Sequence, residues 1–142
     1  MNTSRETIYA ALFALVSGAA PFVTASRRPR LINEVSPTQL PALYMQQIGE
    51  TVTRDRSTPP SYTLRVDLAL YAQNPDQNGS AAPQLNALLD AVELALASPV
   101  PGQPQTLGGI VSHCFVRGDI QQFEGTLGNR AGALIPIEIV TT

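Results

Sequence analysis

The side chains best suited to nucleophilic or metal chemistry stand next to each other. His113 is the one histidine and Cys114 the one cysteine in the 142-residue chain. They occupy an apolar run that reads as a strand, where neighbouring side chains point to opposite faces. The pair therefore reads as an inert buried thiol beside a surface or hydrogen-bonded imidazole, not as a shared site. No CxxC, HxH or HExxH spacing supplies zinc ligands. Asp90 and Glu93 lie one helical turn apart, but no second acidic pair or histidine accompanies them. Residues 102–109 and 125–132 contain glycines yet match neither a P-loop nor a dinucleotide fingerprint, and no serine lies in a GxSxG elbow. The expectation is a protein without a catalytic site, cofactor or metal.

Arginines remain. The stretch TASRRPR at residues 24–30 places Arg27, Arg28 and Arg30 together, and Arg54 and Arg56 flank Asp55. All nine basic side chains are arginine. Guanidinium forks suit phosphates and carboxylates alike. Solvated arginines on an exposed edge are the plain alternative. The formal net charge of −2 argues against a general nucleic-acid binder. The alternating signs of Arg54-Asp55-Arg56 favour ion pairing with protein over phosphate tracking.

The elements that must carry these residues follow from periodicity. Thr3 and Glu6 fit a capping box ahead of a helix over residues 4–17, with Ile8, Tyr9, Leu12, Phe13, Leu15 and Val16 at helical spacing. Residues 22–34, broken by Pro29, read as an irregular or edge strand bearing the first arginine cluster. Residues 42–48 form a second strand. Residues 62–71 alternate most clearly, with Tyr62, Leu64, Val66, Leu68 and Leu70 on a core face and a polar face opposite. The segment between them, 50–60, reads as a long hairpin tip and a candidate contact surface. A second helix spans 82–97 with Pro83 in its first turn and Leu85, Leu88, Leu89, Val92 and Leu96 as its buried stripe. Strands over 110–117 and 133–140 close the chain, and Pro136 marks the latter as an edge or bulged strand. The order predicts one domain, residues 1–142, of the α+β class. Its sheet is mixed and largely antiparallel, with four to five strands and two amphipathic helices on one face.

Only 14% of residues are charged, below the usual share of about a quarter, so protein covers part of the surface in this reading. Glu6 sits where a signal peptide keeps its positive n-region free of acid, and no stretch approaches a membrane span. A soluble, cytoplasmic protein is expected by default.

RETIYAALFALVSGA, FVTASRRPRLINEV and PALYMQQIGETVTRD resemble phage tail-terminator and minor tail proteins of the lambda U-like class. So do YTLRVDLALYAQN, QLNALLDAVELAL and QTLGGIVSHCFVRGDIQQFEGTLGNRAGALIPIEIV, in the same order along the whole chain. The resemblance implies a structural, non-enzymatic virion protein, assembled in the host cytoplasm and sited at the head-proximal end of the tail. It implies a homo-oligomeric ring of about six subunits that ends tube polymerisation and meets the head–tail connector; a closed ring needs two different complementary surfaces per subunit. Its partners would be copies of itself, the tail tube protein and the connector, with DNA at most passing transiently through the lumen. The candidate surfaces are Arg27, Arg28 and Arg30; the Arg54, Asp55 and Arg56 tip; and the edge carrying Leu134, Pro136 and Glu138. A connector or neck protein binding the portal side is the alternative. A nucleic-acid module using the arginines, or an interfacial enzyme with His113 and Tyr71, are the other classes.

Overall fold

Leu64, Val66, Leu68 and Leu70 occupy every second position of β3 (Ser61–Gln73), and all four are buried. In this computed structural model the backbone of residues 1–142 is described, together with all side chains outside residues 125–127. β3 is flanked by β2 (Ala42–Thr53) on one side and by β6 (Arg130–Thr141) on the other, both antiparallel. β1 (Thr24–Ser26) adds a short parallel edge to β2, pairing Thr24 with Ala42. The far edge of β6 is shared by β4 (His113–Val116) and β5 (Gln121–Leu127). The result is a mixed, mostly antiparallel sheet of 6 strands with two helices, an α+β fold.

The helices α1 (Arg5–Ser17) and α2 (Ala82–Leu96) cover the face that Leu64–Leu70 present. Ile8, Tyr9, Leu12 and Val16 come down from α1, and Leu85, Leu88, Val92 and Leu96 from α2. Leu43 and Met45 of β2 and Ile135, Ile137 and Ile139 of β6 complete this core. The cap of α1 lies one residue later than the spacing predicts. Ser4, not Thr3, accepts the Thr7 amide at 3.2 Å, and Glu6 is engaged by Arg27 instead of reaching back to the cap.

Pro136 does not mark an edge. β6 is an interior strand, paired with β3 from Arg130 to Thr141. The proline is tolerated because of where its missing donor points. The Pro136 carbonyl accepts the Arg117 amide at 3.0 Å, so the nitrogen of the same residue also faces β4 and β5. There it meets a break: β5 pairing stops at Leu134 and β4 pairing starts at Ile137. No ladder bond is lost. The open edges are β4 and β5 on one side of the sheet, and the short β1 with the outer half of β2 on the other.

Two further elements depart from expectation. The strand over 22–34 shrinks to Thr24–Ser26, which leaves Arg27, Arg28 and Arg30 beyond its end. β2 runs on through Thr51, Val52 and Thr53, whose β-branched side chains favour the pleat, so the tip is only Arg54–Pro60. Cys114 faces the helical core, while His113 is exposed beside Phe115, with ring centroids 4.5 Å apart. Burial pushes the Cys114 thiol up to about 12. The native protein is therefore expected to resist an aromatic disulfide reagent at pH 8 and to label fully once unfolded in guanidinium. Stoichiometric labelling of the folded chain would contradict this placement.

Candidate functional site

The second face of the sheet, opposite the helices, is half roofed. After β1 the chain crosses it as a strap with two 3-10 turns, Ile32–Glu34 and Pro37–Gln39. Each turn is closed by its own residues. The Leu31 amide donates to Glu34 Oε2 at 3.2 Å, and the Ser36 amide donates to Gln39 Oε1 at 3.1 Å. The strap buries Ile32 and Val35 against Ala42, Tyr44 and Tyr71. Two bonds tie it down: Tyr71 Oη donates to the Arg30 carbonyl at 2.5 Å, and Arg130 Nη1 donates to the Ile32 carbonyl at 2.7 Å. The face expected to be merely polar thus carries a small second core. Aromatic residues at Tyr44 and Tyr71, on the side of their strands away from the helices, are the sequence signal for that cover.

Between the strap and the exposed remainder of this face lies a groove of about 620 Å³. Its floor includes Tyr44, Asp67 and Leu134, and its wall includes Arg30 and Glu34. The β2–β3 register sets the floor, with Gln46 opposite Asp67 and Tyr44 opposite Ala69. Tyr44 is 2% exposed, and its hydroxyl is buried without a hydrogen-bond partner. Such an orphan costs on the order of 1–3 kcal/mol unless something supplies the bond. Partial burial raises the pKa of Asp67, because the carboxylate loses water and no cation among the described residues lies within ion-pair distance. An acid whose pKa is higher folded than unfolded stabilises the fold below its unfolded pKa and loses that contribution as pH rises through the folded one. Asp67→Asn is therefore expected to raise the melting temperature at pH 7, with the gain vanishing below about pH 3.8. Thermal melts across that range check it; an equal gain at pH 3 would contradict it.

The structure separates the arginines that proximity in sequence had grouped. Arg27 is spoken for inside the chain. It pairs with Glu6 and donates to Gln47 Oε1 at 3.1 Å, tying the start of α1 to β2. That pairing lowers the Glu6 pKa and raises that of Arg27. Arg28 is exposed, and its amide donates to Ser26 Oγ at 3.0 Å. Arg30 is exposed on the groove wall. Arg54, Asp55 and Arg56 sit exposed at the hairpin tip, where Asp55 Oδ1 accepts the Arg56 amide at 2.7 Å. Leu134 joins Arg30 at the groove, whereas Pro136 and Glu138 lie half-buried farther along β6 and Glu138 faces Arg117 at 3.6 Å. The sequence alone does not single out Glu34, Tyr44 and Asp67. Nothing in the local pattern of the two carboxylates marks them.

Among the described residues no cluster of three or more His, Cys, Asp or Glu gathers, and no helix is long and apolar enough to cross a membrane. No protein-family model matches the chain, and a search of curated proteins finds no match to it. The groove has the size of a small-ligand pocket. Its exposed wall and mixed charge serve equally for capture of a protein segment.

Proposed function

We propose that the chain is a structural virion protein that caps the head-proximal end of a phage tail tube as a ring of about six copies. In this role it ends tube polymerisation, offers a surface to the head connector and performs no catalysis. The observation that supports the reading most is the open outer half of β2. From Gln46 to Thr53 that strand pairs with β3 alone, and Ile48 and Val52 on it are 49% and 51% exposed. A long edge with apolar side chains invites pairing with another chain, and isolated proteins blunt such edges. The opposite edge, β4, differs in length and sequence. Two unlike surfaces on one subunit give heterologous contacts, which close into a ring when the rotation allows.

The test has two parts. Light scattering and negative-stain imaging should show closed rings, alone or on tube ends. Tube protein polymerised with a small molar share of this chain should give short tubes capped at one end. Unchanged tube length with no binding to tubes overturns the reading, and selective capture by the connector protein transfers the chain to the neck.

A further inference from the structure

We propose that the hairpin tip Arg54-Asp55-Arg56 of one copy docks into the groove of Arg30, Glu34 and Asp67 on the next. The two surfaces are complementary in sign. The tip offers cation, anion, cation; the groove offers two carboxylates and one guanidinium. Both sets lack ion-pair partners of their own: Arg30, Arg54 and Arg56 pair with no acid, and Glu34 and Asp67 with no base, among the described residues. This sets them apart from Arg5, Arg27 and Arg117, each of which has a carboxylate.

Tyr44, whose hydroxyl is buried without a hydrogen-bond partner, is among the residues lining the groove, and the tip carries polar Ser57 and Thr58 beside its charges. The partial burial that disfavours a lone charge on Asp67 is offset when a guanidinium arrives.

Geometry puts the contact between copies. The tip and the groove lie at opposite ends of the same hairpin. From Asp67 to Ser61 the chain runs six residues along β3, about 20 Å at roughly 3.3 Å per residue, and the tip continues away from there. A copy cannot fold its own tip back onto its groove without dismantling the β2–β3 ladder. Since tip and groove are different surfaces, the contact is head to tail, and successive copies can each use both. The inference rests on the ring reading only in requiring copies of this chain to meet; it adds which residues hold them.

Disulfide trapping tests it on the full chain, since Cys114 is buried and silent. One preparation carries Ser57→Cys at the tip and another Asn33→Cys on the groove wall, both at exposed positions. Mixed and mildly oxidised, they should give a tip-to-groove dimer about tenfold above the yield of Ser57→Cys with Asn86→Cys on the helical side. Adding Arg54→Glu and Arg56→Glu to the tip copy should return the yield to that control. Adding Glu34→Arg and Asp67→Arg to the groove copy should then restore it. A yield at control level, or one indifferent to the charge reversals, overturns the proposal; a small ligand as the occupant gives that result. The tube assay separates this from the terminator reading. Charge-reversed tips that still cap tubes sink the docking and keep the cap, while trapping without capping does the reverse.

Discussion

Gly132→Val is expected to destabilise the protein by about 3 kcal/mol, close to the upper end for overpacking a single site. Gly132 lies in β6 opposite Tyr71 of β3 on one side and Phe123 of β5 on the other. Both rings lean over the missing side chain. A Cβ at this position would stand 2.5 Å from Phe123 Cζ and 3.1 Å from Tyr71 Cδ1. Neither ring can simply swing clear. Tyr71 is buried, its ring tilted against that of Tyr44 with centroids 5.6 Å apart, and bonded to the strap, and Phe123 packs on the same cluster. The backbone of Gly132 is not in the left-handed region, so the penalty is steric rather than conformational. Urea unfolding measures it. Phe123→Ala in the same chain should recover part of the loss, because it removes the nearer ring. If the double variant is as unstable as the two single losses added together, the clash is not the cause.

What the sequence revealed, and what it hid, divides by the range of the interaction. The two helices and the spine of the sheet are local periodicities. Leu85, Leu88, Val92 and Leu96 repeat at helical spacing, and Leu64 to Leu70 alternate, so nothing else in the fold can contradict them. β5 escaped notice because QQFEGTL is polar and lacks alternation; its clue is the two-residue Gly128-Asn129 turn joining Leu127 to Arg130. Gly128 takes a φ of +71° there, as the first position of a tight hairpin turn requires. Pro136 misled because the rule against proline in interior strands assumes an unbroken neighbour, and here the neighbour is interrupted. The arginine cluster misled for a similar reason. Arg27 is bound by Glu6, a residue 21 positions away on another element, and no local rule joins them. The groove depends on five separated segments meeting, and its carboxylates carry no motif. Arg30 and Leu134, far apart in sequence, line the same groove.

The second large effect concerns the strap that walls this groove. Tyr71→Phe removes one tether, a hydroxyl bond to the Arg30 carbonyl, and should cost about 1 kcal/mol. Arg130→Met removes the other, a charged donor on the Ile32 carbonyl, and should cost about 2 kcal/mol. The double variant is expected to lose about 3 kcal/mol or slightly more, since either bond alone still holds the strap over Ile32 and Val35. Hydrogen exchange distinguishes this from general weakening. With both tethers gone, amides at residues 32–40 should exchange much faster, while those of β3 and β6 should speed up only in step with the global loss of stability. More to the point, the groove then has a floor and no fixed wall. Glu34 would no longer be held on the groove wall, and the tip-to-groove disulfide yield should fall even though every charged side chain is present. A yield that survives an untethered strap would mean that charge alone brings the copies together, and that the wall, with its two capped turns, has some other purpose.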